Sequence, residues 1–201
     1  MFRLLVGDLV ANARIWLGTA LVAAVTAAVL AVDGALIETG AAVGGDVGLA
    51  LYGISGTVLL STAVAAVVVL GTVANLTVTL QQRGYALWQL VGLSTGRIRS
   101  VVSAQLLVVA LLGGAVGCAV AAPALQPFYD VVFDGTPDLG GLRLRFGGVA
   151  AVSVVALVGV LVVLSGSRAA GRAGRVPVIR VLREPDPVSY THLTLPTNRE
   201  V

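Results

Sequence analysis

The sequence predicts an all-α, polytopic membrane protein with four transmembrane helices and both termini in the cytoplasm. Hydrophobic residues make up 57% of the 201-residue chain and charged residues only 11%, whereas soluble domains carry about a quarter charged residues. Four apolar stretches are long enough to cross a bilayer core of about 30 Å, which takes roughly 20 helical residues. Arginines, in addition, cluster in alternate connecting segments, and this pattern indicates membrane topology.

The four predicted spans lie in separate parts of the chain. They cover residues 15–32, 47–80, 101–122 and 147–166. The second stretch is longer than a bilayer requires, so its C-terminal part is expected to project into the cytoplasm as a continuous helix. No small-residue cleavage site follows the first stretch, which is therefore interpreted as a retained span.

The segments predicted to be cytoplasmic are those rich in arginine. The loop 81–100 has three arginines and no acid, and the segment 167–187 has five arginines. Since positively charged segments stay inside, both are assigned to the cytoplasm together with the N-terminal segment 1–14. We expect a multi-pass protein of a bacterial cell membrane with lipids as its neighbours, and the basic net charge gives no reason to expect nucleic acid, because the arginines lie in short blocks beside apolar stretches.

The remaining two segments are predicted to be short outer loops. Residues 33–46 are rich in Gly and Ala and carry no base, and residues 123–146 contain helix-breaking Pro and Gly, which allow at most a small hairpin or re-entrant turn. Every Asp and Glu falls in a loop or a tail on this interpretation, with Asp33 at most at an interface. A proton-driven carrier is therefore not expected, because it would need an ionisable residue within the membrane.

Sequence motifs for catalysis or cofactor binding are missing. The chain has no P-loop, no H-E-x-x-H and no G-x-S-x-G, and the single Cys118 excludes an internal disulfide or a cysteine metal cluster. Asp130, Asp134 and Asp138 are spaced by four, but the Pro and Gly between them favour a solvated loop over a metal site. We therefore expect a non-catalytic protein with no catalytic, cofactor-binding or metal-binding residues.

A short amphipathic insert separates the second and third spans. In "YALWQLVGLSTGRIRSVV", Leu87, Leu90 and Val91 recur at i, i+3 and i+4 beside Trp88, which predicts about two turns of helix. Gly92 is suited to end this helix. Two interpretations stay open: a helix with Trp and Arg can lie on the membrane surface, or its apolar face can dock in the groove of a partner, with arginines around the rim.

The insert and the span after it resemble the core of the FtsX-like permease family, the membrane subunits of MacB-type ABC transporters. The family pattern begins with a basic residue, followed by a segment of the type "alGas" and then by basic residues and Ile. An apolar helix that contains Gly-Gly-x-x-Gly comes next. This chain has Arg83, "QLVGLSTGRI" and the glycines at 113, 114 and 117. It departs from the pattern at Gly84-Tyr85, where a Glu-Ile-like pair is common, and at Gln105, where Glu is common.

The segment 167–187 is also similar to the family's closing pattern, with Pro177, Leu182 and Arg183 in the matching places. The resemblance covers about residues 50–185. Residues 188–201 resemble translated sequencing-adapter read-through and are expected not to be native, so that the natural protein is expected to continue as a longer permease of which this is one half.

The resemblance implies a permease subunit that couples ATP hydrolysis by a separate cytoplasmic ATPase dimer to export of a substrate, or to its extraction from the outer leaflet. It also implies a second permease half, from a homodimer, a paralogue or a missing C-terminal repeat. The coupling residues that it implies are Arg83, Leu87, Trp88, Leu90, Val91, Gly92, Leu93, Arg97 and Arg99. Two alternatives are a transmembrane signalling subunit without transport and an unrelated four-helix membrane scaffold.

Two glycines within the third span form a small-residue motif. Gly113 and Gly117 are separated by three residues, a spacing that lets two membrane helices approach closely. We therefore predict that they pack against another helix.

Overall fold

The computed structural model describes Gly7 and residues 12–173, except for the side chains of Arg83 and Ala173. These residues form four long helices and one short helix, and no strand. The helices are α1 (Ala13–Val43), α2 (Gly45–Leu80), α3 (Gln82–Leu90), α4 (Thr95–Val132) and α5 (Gly148–Ala173). Three parts of the chain lie outside the described residues: most of the predicted N-terminal segment, the basic segment from residue 174 onward, and the tail 188–201. Pro177, Leu182 and Arg183 belong to the second of these.

Four of the helices, α1, α2, α4 and α5, are long and apolar enough to cross a membrane. The predicted all-α fold with four membrane-spanning helices is therefore confirmed. Many large apolar side chains on these helices point away from the bundle, among them Leu21, Leu60 and Val120. An outer surface of this kind suits lipid, because a soluble protein rarely exposes large continuous apolar areas.

The four long helices form a bundle in which α1 occupies the central place. α1 packs against α2, α4 and α5, while α5 also packs against α2 and α4. The face of α1 toward its neighbours carries alanines at every fourth position, all fully buried: Ala23, Ala27, Ala31 and Ala35. Such small side chains let helices approach closely, and close packing is what drives association where lipid removes the hydrophobic effect.

The first predicted loop, residues 33–46, is helical except at Gly44. α1 continues through it to Val43, and α2 begins at Gly45. Gly44 connects the two helices with φ 68° and ψ −168°, a conformation that is essentially restricted to glycine. The two helices then run so close together that a Cβ atom at Gly48 would lie 2.7 Å from the carbonyl oxygen of Gly40. The Gly/Ala-rich composition therefore serves helix contact, which the sequence interpretation missed.

The second predicted loop, residues 123–146, is helical in its first part. α4 continues past Pro123 and Pro127 to Val132, so the expectation that these prolines end the helix was wrong. Long membrane helices tolerate proline where neighbouring groups satisfy the freed backbone. The rest of the segment folds back over the bundle, and Gln126 holds it: its side chain accepts a hydrogen bond from the Leu144 amide (2.8 Å) and donates one to the Leu142 carbonyl (3.1 Å).

Candidate functional site: the α3 surface and a buried carboxylate

The predicted amphipathic insert forms α3, which lies at the end of the bundle where α2 stops. Only Gln81 separates α2 from α3, and the Tyr85 hydroxyl donates a hydrogen bond of 2.5 Å to the Gln81 side-chain oxygen. Tyr85 and Ala86 are buried against the bundle. Short helices are marginal alone, so α3 depends on these contacts for its position.

One face of α3 and the turn after it is exposed and apolar. Leu87 is 56% exposed, Leu90 57% and Val91 83%. We call Leu87, Leu90 and Val91 the α3 surface. Gly92 follows it with φ 93°, a backbone conformation that favours glycine, and the Leu93 amide donates a hydrogen bond of 3.0 Å to the Trp88 carbonyl. The turn is thereby closed and the three side chains keep a fixed arrangement.

Two residues that the resemblance assigned to the docking face lie elsewhere. Trp88 and Leu93 are half-buried and pack against the main core of the bundle. Trp88 also meets the ring of Tyr85 edge-to-face, with ring centroids 5.6 Å apart. Trp88 therefore lies on the inner side of α3, and Leu93, which follows the end of this helix, packs against the bundle from the turn before α4. Periodicity alone did not reveal which of the two apolar faces is covered.

The basic residues of this region lie beside the α3 surface in the chain. Arg97 and Arg99 are exposed in the first turns of α4. The side chain of Arg83 lies outside the described residues. The segment 81–100 carries no Asp or Glu, so this end of the bundle combines exposed apolar groups with positive charge.

The sequence interpretation missed a buried carboxylate in α1. Asp33, expected in a loop or at most at an interface, lies inside the helix with its side chain only 1% exposed. Neither of its carboxylate oxygens has a hydrogen-bond partner among the described residues. The signal in the sequence was the helix-compatible segment on both sides of Asp33, which places this acid inside a helix that is long and apolar enough to span a membrane. An acid in such a place is a functional candidate by default.

Asp33 is one of the residues that line a cavity of about 450 Å³ between α1, α2 and α5. Most of its lining is apolar, with Leu30, Ile37 and Leu157 as examples. Glu38 lines the same cavity, and its Oε2 accepts a hydrogen bond of 2.8 Å from the Gly147 amide. No described group of His, Cys, Asp and Glu side chains is large enough to suggest a metal site.

These features define a multi-pass membrane protein of four apolar helices with a short helix at one end of the bundle. Comparison of the chain with protein-family models gives no match, and comparison with curated protein sequences gives none either.

Proposed function

We propose that this chain is the membrane permease subunit of a bacterial ABC transporter, and that the α3 surface is where a cytoplasmic ATPase dimer docks. The observation that supports this proposal is the exposure of Leu87, Leu90 and Val91 together on a helix that is otherwise anchored to the bundle. Amphipathic helices with such a face commonly bind in a groove of a partner. The end of the bundle with α3 is then the cytoplasmic end, in agreement with its arginines.

The anchoring of α3 supports a mechanical role. Tyr85 and Trp88 pack into the core that α1, α2, α4 and α5 share, and α3 contacts both α2 and α4. A displacement of α3 by the ATPase is therefore passed on to the long helices. α2 has 36 residues and a length of about 54 Å, so it carries a movement at one face of the membrane to the other.

Charge around the α3 surface favours a protein partner of acidic character. With Arg97 and Arg99 exposed and no acid between residues 81 and 100, the surroundings are positive. Complementary charge at the rim increases the rate of association and fixes the orientation of a partner. Arginine also attracts anionic lipid. The alternative to docking on an ATPase is therefore that α3 lies on the membrane surface, and the experiment distinguishes the two.

The test is co-purification of the solubilised chain with a co-expressed ABC ATPase of the same organism. The double variant Leu90→Glu/Val91→Glu is expected to lose the ATPase while keeping its thermal melting temperature, because both side chains are exposed. Ser100→Glu is the matched control: it adds negative charge at an exposed position at the same end of the bundle, and it should retain the ATPase. Undiminished binding of the ATPase by the double variant would overturn the proposal.

Transport and signalling are separated by a second measurement on the same complex. The complex is reconstituted into vesicles and supplied with ATP. The signalling subunit is favoured if no candidate substrate moves while the outer segments change their protection from hydrogen exchange. Substrate movement that stops with the double variant supports the permease.

A further inference from the structure

The cavity around Asp33 has one lining residue from α2 and five from α5. At the end with α3 the two helices touch: Cβ atoms placed on Gly71 and Gly166 would lie 3.6 Å from Ser165 and Ala74, respectively. Toward the α1–α2 turn, Leu59 is the residue of α2 that still reaches the cavity. Ile37, Val149 and Ser153 line the cavity and are exposed at the outside of the bundle, so the cavity is open to its surroundings.

The charged groups of the cavity are two acids without a basic counterpart, and Ser153 is the remaining polar side chain of its lining. Asp33 and Glu38 lie on successive turns of α1 and line the same space, in which no Arg side chain takes part. Burial of a carboxyl group without a partner is unfavourable in either form, because a carboxylate lacks a donor and a neutral acid lacks an acceptor for its proton. A bound cation would remove this cost.

The rest of the lining selects the kind of cation. Leu30, Ile37, Leu59, Val154 and Leu157 surround the acids, and a volume of about 450 Å³ falls in the ~300–1,000 Å³ range of small-molecule sites. A metal ion would require more oxygen ligands than two carboxylates on one helix offer. A large organic cation satisfies both the apolar walls and the charge.

We propose that this cavity binds a lipophilic organic monocation that enters from the membrane, with Asp33 as its counter-ion. The site lies at the opposite end of the bundle from the α3 surface, and binding to it requires no ATPase. The inference therefore goes beyond the proposed permease function and stands or falls independently of it.

The test uses the chain in phosphatidylcholine nanodiscs with radiolabelled tetraphenylphosphonium as the probe, and empty nanodiscs to subtract partition into lipid. Asp33→Asn should weaken binding about tenfold or more, because a charge pair in a site of low dielectric is lost. Asp46→Asn, which removes an acid at the exposed start of α2, should leave binding within about twofold of the unchanged chain. Tetraphenylborate, an anion of nearly the same shape, should not bind specifically.

A second pair of variants tests the place without touching the acid. Ser153 lines the cavity and is exposed, whereas its neighbour Val152 is exposed but does not line it. Ser153→Phe should block the cavity and abolish saturable binding, and Val152→Phe should not. Equal binding by the unchanged chain, Asp33→Asn and Ser153→Phe would overturn the proposal, as would equal binding of the phosphonium and the borate. A failure here leaves ATPase docking at the α3 surface unaffected.

Discussion

Gly117 of α4 lies against the carbonyl oxygen of Ala24 in α1, so closely that a Cβ atom at position 117 would overlap it. One turn earlier, a Cβ atom at Gly113 would lie 2.6 Å from the carbonyl oxygen of Ala20. The two glycines therefore bring the backbones of α1 and α4 into direct contact. Packing of this kind is a main source of association between helices in lipid.

The first prediction concerns this contact. Gly117→Ala should destabilise the bundle by roughly 1–3 kcal/mol, because the added methyl group forces the two backbones apart. The measurement is the unfolding free energy in detergent micelles. Gly56→Ala is the control, since Gly56 is exposed within α2 with nothing within 4 Å of an added Cβ, and it should be neutral or slightly stabilising. Equal effects of the two substitutions would contradict the close approach.

The second prediction concerns the polar contact between α1 and α2. The hydroxyl groups of Thr19 and Thr77 share a buried hydrogen bond of 3.1 Å. Thr77→Val keeps the shape and removes the bond, so it should lower the free energy of unfolding by about 0.6 kcal/mol, the average for hydrogen bonds between membrane helices.

The matched control for Thr77 is Thr72 on the same helix. Its hydroxyl is exposed and donates to the Val68 carbonyl of α2 itself, so Thr72→Val should not affect the packing of α1 on α2. A Thr19→Val/Thr77→Val double variant should be no less stable than either single variant, because one bond is lost in all three. Additive losses would show that the two hydroxyl groups do not interact.

The third prediction distinguishes the two faces of α3. Trp88 packs against the core, so Trp88→Ala should lower the stability of the bundle by roughly 1–3 kcal/mol. Leu90→Ala should change it by less than about 0.5 kcal/mol, since its side chain is exposed. Thermal unfolding followed by circular dichroism measures both. A larger loss with Leu90→Ala than with Trp88→Ala would show that α3 is rotated relative to the structure described here.

The sequence interpretation succeeded where a single local signal dominates. Long apolar stretches identified the four spanning helices, because length and hydrophobicity alone decide which segments can cross a bilayer. Gly92 was correctly placed at the end of the amphipathic helix, since few other residues adopt its positive φ. These inferences needed no knowledge of what the segments contact.

It failed where the outcome depends on a neighbouring helix. Pro127 and Gly40 were both expected to belong to loops, yet both lie within helices. The neighbouring helices and the side chain of Gln126 supply the contacts that make these conformations favourable. The same extension of α1 placed Asp33 inside the bundle, whereas the sequence interpretation had placed it in a loop or at most at an interface.

The sequence by itself determined that this is an all-α protein with four helices able to span a membrane and a short helix between the second and third, because hydrophobicity and backbone preference act locally. Only the tertiary structure decided which face of α3 is exposed, how far α1 and α4 extend, and that Asp33 borders a cavity. Those outcomes depend on contacts between residues far apart in the chain, such as Gly117 with Ala24, and local preferences do not encode them.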